Sequence, residues 1–179
     1  MKTKFALLIL IASAAFTSCK DSKNENKSEE LAIDDTQFKV TTNVIVKKDD
    51  DFSLFYTEDG SIDFKGDPIW ISVKGSESVQ QVVYKLPKDV FPTELRLDFG
   101  MKKDQDDIVL QSVDLEYKGK KRTIAGAELG NFFRPDESKC SFDPLTGIIK
   151  AVVKDGVRQF PSLYPQEANL KPEIEKLAK

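Results

Sequence analysis

The residue types that most enzymes use for nucleophilic and acid–base chemistry are scarce in this 179-residue sequence. Histidine is absent, and the two cysteines are Cys19 and Cys140. A Ser–His–Asp or Cys–His catalytic site therefore cannot form, nor can a zinc site made of histidines or of four thiolates. Cys140 lies in a predicted strand, which is typical of a small buried hydrophobic residue. A nucleophilic cysteine would need a base, and no histidine is available to serve.

Carboxylates are plentiful, with 30 Asp and Glu against 27 Lys and Arg. They cluster at residues 49–51, at Asp59 and Asp63, and at residues 104–107. Such loops supply the oxygens that Ca²⁺ prefers, although none has EF-hand spacing, so a structural calcium and simple solvated turns are both open. Paired carboxylates also hydrolyse glycosides, but so many acids make chance pairs easy to find. We therefore predict no enzyme, no cofactor and no assigned metal ligand.

Trp70 is the single tryptophan and lies within the run Ile69–Val73. In an alternating strand the two isoleucines and the valine face the core, which turns Trp70 and Ser72 to the opposite face. An exposed indole there would form a platform on which a sugar ring stacks. The alternative is that Trp70 packs under a loop or against a second layer.

Five more residues are candidate ligand contacts. Arg96 and Asp98 alternate outward from a strand whose core residues are leucines, and they would contact a ligand or pair across neighbouring strands. Asn131, Phe133 and Arg134 lie where two phenylalanines adjoin an amide and a guanidinium. That segment is either a strand end that opens into a ligand loop or a pair of packed phenylalanines beside a capping arginine.

The elements that must hold these side chains are β-strands, because apolar residues recur at every second position from residue 37 to about 164. Within residues 108–117 the apolar residues change phase, which predicts either a strand buried on both faces or a bulge near Gln111. The predicted strands are 38–46, 52–57, 69–73, 82–86, 95–99, 108–117, 122–125, 129–133, 139–142, 148–154 and 157–163.

Turn residues separate these strands. Residues 58–61, 117–120 and 154–157 predict hairpin turns, and residues 143–147 predict a longer reversal. The many short strands predict an all-β fold, a jelly-roll-like antiparallel β-sandwich, over residues 37–165. A C-terminal tail, residues 166–179, contains a short helix from Pro172 to Ala178, with proline in its first turn.

The N-terminus resembles a bacterial lipoprotein signal. Lys2 and Lys4 precede the apolar run Phe5–Phe16, which is too short to span a bilayer. Small residues then lead to Cys19, as in the relaxed lipoboxes of Bacteroidota lipoproteins. The resemblance implies a signal peptide at residues 1–18, cleavage before Cys19 and lipid on its thiol and new amino group. An ordinary cleaved signal with a chance cysteine is the alternative.

Residues 19–36 are predicted to form a flexible lipidated tether, because charged and polar residues dominate and cannot bury enough surface to fold. The start Cys19–Lys20–Asp21 is similar to the charged export signals of Bacteroidota surface lipoproteins. The resemblance implies an outer-membrane lipoprotein, on the cell surface or on the periplasmic face. The net charge of −3 argues against a nucleic-acid partner, which requires a basic face.

Three core strands carry a second resemblance, over Val82–Pro87, Leu95–Gly100 and Ile108–Tyr117. A strand ending in Leu-Pro, an L-R-L-D-F-G strand and an I-V-L-Q-S-V-D-L strand are similar to the carbohydrate-binding-module-like β-sandwich domains of bacterial cell-surface and secreted glycan-processing proteins. The resemblance implies the fold more strongly than any ligand.

The function that follows is a membrane-anchored envelope module that recognises a glycan. The alternative is a structural or assembly lipoprotein that binds another envelope protein and no small molecule. A shallow groove that contains Trp70 or Phe133 with convergent polar groups would favour the first function, whereas a long apolar edge would favour the second.

Overall fold

A computed structural model describes residues 36–179. The expected signal peptide, the lipidation site Cys19 and the tether up to residue 35 lie outside the described residues. Among residues 36–179, no helix combines the length and the apolar character needed to cross a membrane. The described residues belong to one compact unit.

Strands dominate the described residues. In chain order they are β1 (Lys39–Val46), β2 (Asp50–Thr57), β3 (Ile69–Val73), β4 (Ser76–Lys85), β5 (Glu94–Asp98), β6 (Ile108–Tyr117), β7 (Lys120–Ala125), β8 (Phe133–Pro135), β9 (Cys140–Asp143), β10 (Ile148–Ala151), β11 (Val153–Lys154), β12 (Val157–Arg158) and β13 (Ser162–Pro165). A 3₁₀ turn covers Gly126–Glu128, and the α-helices are α1 (Leu129–Phe132) and α2 (Glu167–Ala178).

The strands form two packed sheets whose strand pairs are antiparallel. The six-stranded sheet has the order β4–β1–β6–β10–β9, with β7 also paired to β6. The five-stranded sheet has the order β3–β2–β5–β13–β8, and β11 and β12 make a separate two-stranded ribbon. The predicted jelly-roll-like antiparallel β-sandwich is therefore confirmed.

The core lies between the two sheets, because alternate residues of each strand turn inward, as the period of two predicts. Phe52 of β2 meets Phe99 edge to face, with ring centroids 5.3 Å apart. At the other end of the core Phe38 meets Phe91 in the same way, at 5.5 Å. Because one face of each strand is buried in this layer, only the opposite face is available to bind a ligand.

The change of apolar phase in β6 marks a β-bulge. Asn43 of β1 pairs with Ser112, whereas the next residue, Val44, pairs with Leu110. Gln111 is therefore the extra residue, and its side chain is exposed. The bulge keeps apolar residues on both sides of it in the core, so the predicted bulge is confirmed.

Two of the predicted tight hairpins form as expected. Lys118 and Gly119 have φ values of 48° and 73°, and Asp155 and Gly156 have 52° and 75°, which suits two-residue hairpin loops. The turn at residues 143–147 joins β9 to β10. The hairpin predicted at residues 58–61 also forms, since β2 and β3 pair antiparallel, but its loop is longer than predicted and covers residues 58–68.

The strand predicted at residues 129–133 is also wrong. This segment forms α1, and Leu129 and Phe132 face the core from positions three apart, which is a helical spacing. The strand predicted at 148–154 divides into β10 and β11, and the one predicted at 157–163 divides into β12 and β13. Each division places a short edge segment outside the two sheets.

The C-terminal helix is longer than predicted, since α2 begins at Glu167 and contains Pro172 in its interior. Leu170, Ile174 and Leu177 are its buried residues and form one apolar face. Pro172 is exposed, so the backbone carbonyl that loses its helical hydrogen-bond donor faces solvent. Burial of the apolar face therefore overrides the cost of the proline.

Candidate functional site

A row of side chains crosses the outer face of the five-stranded sheet. Ser53 of β2 pairs with Trp70 of β3 on one side and with Asp98 of β5 on the other. Asp98 in turn pairs with Ser162 of β13. Paired residues point to the same face, so these four side chains lie side by side, about 4.8 Å from strand to strand.

A shallow cavity of about 150 Å³ lies over this row. Its floor is polar, and its walls include three of the large apolar side chains that the described residues expose. The lining residues are Asp51, Ser53, Trp70, Asp98, Phe99, Gly100, Met101, Lys139, Gln159, Phe160 and Ser162. We call this cavity the Trp70 groove.

The walls of the Trp70 groove present apolar surface to solvent. Trp70 is 50% exposed, and Met101 and Phe160 are exposed to a similar degree. Ile69 and Ile71 pack against the core, so the alternation predicted for β3 places the indole outward. The expectation that Trp70 packs under a loop is therefore wrong. Exposure of an indole to water costs free energy, so this ring is available to pack against a partner.

Asp98 is held by Arg96, which lies two residues earlier on the same strand and therefore on the same face of the sheet. Arg96 Nε donates to Asp98 Oδ1 at 3.0 Å, and Arg96 Nη2 donates to Oδ2 at 2.8 Å. Burial works against the charge of Arg96, but the hydrogen bonds and charge of Asp98 outweigh it, so the pKa of the guanidinium is raised. This pair runs along one strand, not across neighbouring strands as the sequence suggests.

Aromatic rings enclose Arg96. Its guanidinium carbon lies 3.8 Å from the ring centroid of Phe55 and 5.4 Å from the centroids of Phe64 and Tyr164. The side chain is only 14% exposed. Arg96 was predicted to contact a ligand directly, but the structure commits its donors to Asp98 and its faces to aromatic rings.

Two serine hydroxyls flank Asp98 in the row. Ser53 is 1% exposed, and its Oγ has no hydrogen-bond partner among residues 36–179. Ser162 is also buried, and its Oγ makes a long contact of 3.5 Å with the carbonyl of Phe160. A buried hydroxyl without a partner costs free energy, so a ligand that supplies one gains it back.

Charged groups of both signs stand at the rim. Asp51 Oδ1 accepts a hydrogen bond from Ser72 Oγ at 2.6 Å, and among the described residues no cation lies within 4.0 Å of Asp51. Lys139 Nζ lies 3.3 Å from Asp136 Oδ2. The rim can therefore both accept and donate hydrogen bonds.

The segment 131–134 does not join the Trp70 groove. Phe133 is 1% exposed and belongs to the core, so its ring has no face free for a ligand. Asn131 is exposed on α1, and its carbonyl accepts a hydrogen bond from Asn169 at 2.7 Å. Arg134 lies against Tyr164 in a separate open hollow. The structure thus unites Trp70 with Asp98 and places Asn131, Phe133 and Arg134 elsewhere.

The acidic clusters serve the backbone. Asp50 is buried, and its Oδ1 accepts hydrogen bonds from the amides of Asp51, Met101 and Lys102 at 2.7–3.1 Å. Asp49 accepts from the amide of Gly75 at 2.8 Å, which lowers its pKa. Across residues 36–179 no three acidic or thiol groups converge closely enough to hold a metal ion.

The groove also contains residues that the sequence did not single out. Ser53 and Asp51 alternate with core residues of β2, so the sequence predicts that both side chains face outward. The pairing of Ser53 with Trp70 and of Asp51 with Ser72 depends on the register of β2 against β3. Phe160 and Ser162 meet β5 because β13 inserts beside it, a non-local pairing that no local pattern encodes.

Comparisons with known proteins add little to this geometry. No family model matches the sequence, and no curated protein matches it significantly. Among solved structures, the chain is similar to the selenomethionine form of vCBM60, studied as part of an evolutionary link between two families of calcium-dependent carbohydrate-binding modules. The match covers 72% of this chain and 91% of that one, with 9% identity and a TM-score of 0.39.

Proposed function

We propose that this protein is a lipid-anchored, non-catalytic module of the cell envelope that binds a glycan in the Trp70 groove. The observation that carries the proposal is the half-exposed Trp70 ring beside a floor of Ser53, Asp98 and Ser162. A sugar ring has an apolar face of C–H groups and an edge of hydroxyls. The indole can stack on the apolar face, and the carboxylate and serine hydroxyls can form hydrogen bonds with the hydroxyl edge.

The affinity of one such site is modest. Stacking contributes roughly 0.5–1.5 kcal/mol beyond area burial, by analogy with aromatic pairs, and the cavity is shallow. Many copies anchored on one surface bind a polymeric glycan with higher avidity. The lipid anchor proposed at Cys19 would supply that display, since two or more acyl chains hold a protein stably on a membrane.

The membrane attachment has its own test. Cys19→Ser removes the proposed lipid acceptor, so the variant is expected in the soluble fraction or as an uncleaved precursor. Surface accessibility to an added protease then separates the cell surface from the periplasmic face of the outer membrane. A variant that fractionates and migrates like the parent protein contradicts the anchor.

Glycan binding is tested on a soluble protein spanning residues 34–179, which contains the whole compact unit. We expect this protein to bind a subset of a glycan array and Trp70→Ala to lose that binding. Leu145→Ala is the matched control, because Leu145 is an exposed apolar residue outside the groove. An array without a single reproducible glycan signal contradicts the proposed function.

One observation favours the alternative, a lipoprotein that docks on another envelope protein. The β11–β12 ribbon exposes Val153 and Val157 outside both sheets. If docking is the function, the double variant Val153→Ser, Val157→Ser releases a partner that co-purifies from cross-linked membranes, whereas Trp70→Ala does not. Glycan binding predicts the opposite dependence.

A further inference from the structure

The carboxylates of the Trp70 groove identify the class of sugar that fits. We propose that the groove takes a pyranose unit without an anionic group and that two adjacent hydroxyls of this unit donate hydrogen bonds to Asp98. The inference rests on the proposed glycan-binding function and adds the chemical class and orientation of its ligand.

The first argument is the hydrogen-bonding capacity that remains on Asp98. A carboxylate accepts about four hydrogen bonds, and Arg96 supplies one to each of its oxygens. Each oxygen therefore keeps a free acceptor position. Two neighbouring acceptors held in one fixed plane match two hydroxyls on adjacent ring carbons. A single hydroxyl, or an amide with one N–H, cannot satisfy both acceptors together.

The second argument is the charge of the groove. Arg96 is paired with Asp98, and Lys139 at the rim is paired with Asp136, so neither cation is left for a ligand. Asp51 also lines the groove and adds a negative charge. A sugar carboxylate would therefore lose its hydration without gaining a free counter-charge, whereas a sugar without an anionic group avoids that cost.

The third argument is the buried Ser53 hydroxyl. Ser53 lines the cavity, and its buried Oγ lacks a hydrogen-bond partner among the described residues. It lies in register with both Trp70 and Asp98. A ring hydroxyl that reaches Asp98 while its ring stacks on Trp70 therefore passes over Ser53 and pairs with it.

Arg96 acts in this arrangement as a positioning residue, since its faces are covered by Phe55 and its donors hold Asp98. Removal of its charge leaves Asp98 uncompensated. The selectivity of the groove then moves toward a cationic sugar, a change that a purely structural role of Arg96 does not produce.

The test is an NMR titration of the 34–179 protein, followed at the indole N–H of Trp70. The neutral probes are methyl β-D-glucopyranoside, methyl β-D-galactopyranoside and methyl α-D-mannopyranoside, and the charged probes are methyl β-D-glucuronide and D-glucosamine. We expect at least one neutral glycoside to bind about 10-fold more tightly than methyl β-D-glucuronide. Its two deoxy analogues that lack one adjacent hydroxyl each are expected to lose about 10-fold in affinity.

Three variants accompany the titration. Ser53→Ala is expected to weaken the neutral glycoside by about 5-fold and to leave thermal stability unchanged or higher, because its hydroxyl has no protein partner. Ser112→Ala, on the outer face of the opposite sheet, is the matched control and leaves affinity unchanged. Arg96→Gln is expected to raise the affinity for D-glucosamine relative to that for the neutral glycoside.

The outcomes separate this inference from the proposed function. Binding of methyl β-D-glucuronide as tight as that of the best neutral glycoside, or a neutral glycoside that tolerates every single deoxygenation, overturns the inference and leaves glycan binding intact. A protein that binds array oligosaccharides but none of the methyl glycosides also overturns the inference and leaves glycan binding intact. A protein that binds neither the array nor the glycosides overturns both.

Discussion

Glu94, the first residue of β5, is a buried acid whose ionisation opposes folding. The residue is 1% exposed, and its Oε2 has no hydrogen-bond partner among residues 36–179. Burial raises its pKa first, the nearby charge of Glu167 raises it further, and Lys171 partly offsets both. The result is a pKa of about 7, compared with 4.5 for an ordinary glutamate. Replacement of Glu94 by glutamine removes this titration while it keeps the shape of the side chain.

The sign of the effect follows from where the proton binds. Between pH 4.5 and about 7 the folded protein keeps the Glu94 proton and the unfolded chain has lost it, so unfolding becomes easier as the pH rises. The contribution is fully present below pH 4.5 and is lost above about pH 7. A shift of this size corresponds to about 3 kcal/mol in the free energy of unfolding, at 1.36 kcal/mol for each pKa unit.

Urea unfolding of the 34–179 protein at several pH values between 4 and 8 measures this contribution. The difference in unfolding free energy between Glu94→Gln and the parent is expected to rise by about 3 kcal/mol from pH 4.5 to pH 7, in favour of the variant. Acids distant from Glu94 contribute equally in both proteins and cancel in the difference. Glu137→Gln, at an exposed glutamate in a loop, is the control for the loss of one carboxylate. A Glu94→Gln difference that is flat or falls with pH refutes the reasoning.

Three further predictions concern stability. Trp70→Ala is expected to change the free energy of unfolding by less than about 1 kcal/mol, because the ring is half exposed, and a loss of 3 kcal/mol in a thermal melt would show a core residue instead. Cys140→Ala removes a buried thiol that donates to the carbonyl of Ser162 and is expected to cost about 1–2 kcal/mol; a melt of the parent with and without reductant should coincide. Gly147→Ala is expected to cost about 3 kcal/mol or more in urea unfolding, because φ is 75° and a Cβ would collide with a backbone carbonyl. Gly119→Ala, at φ 73° in open space, should cost about 1–2 kcal/mol, and equal losses in both would contradict the collision.

The features that local pattern predicted are those set within one strand or one turn. The outward facing of Trp70 follows from the period of two, and the bulge at Gln111 follows from a change of phase in β6. The hairpin at Lys118–Gly119 follows from the backbone freedom that its residues allow. Each of these depends on neighbours in sequence, so each was readable without a structure.

The features that escaped prediction depend on partners distant in sequence. The helical turn of α1 is stabilised by burial of Leu129 and Phe132 against elements elsewhere in the chain, so an apolar run alone resembled a strand. The partnership of Ser53 and Ser162 with Asp98 requires β2, β5 and β13 to lie side by side. Strand order is decided by the whole packing, and single-strand patterns do not encode it.

The position of β13 has a consequence for how the molecule is made. This strand comes almost last in the chain, yet it lies inside the five-stranded sheet, between β5 and β8. Before Ser162–Pro165 has been synthesised, the edges of β5 and β8 are unpaired and the groove floor lacks Ser162. Closure of the sheet must therefore wait until β13 has been synthesised, and folding is slow, as expected when strands distant in sequence pair.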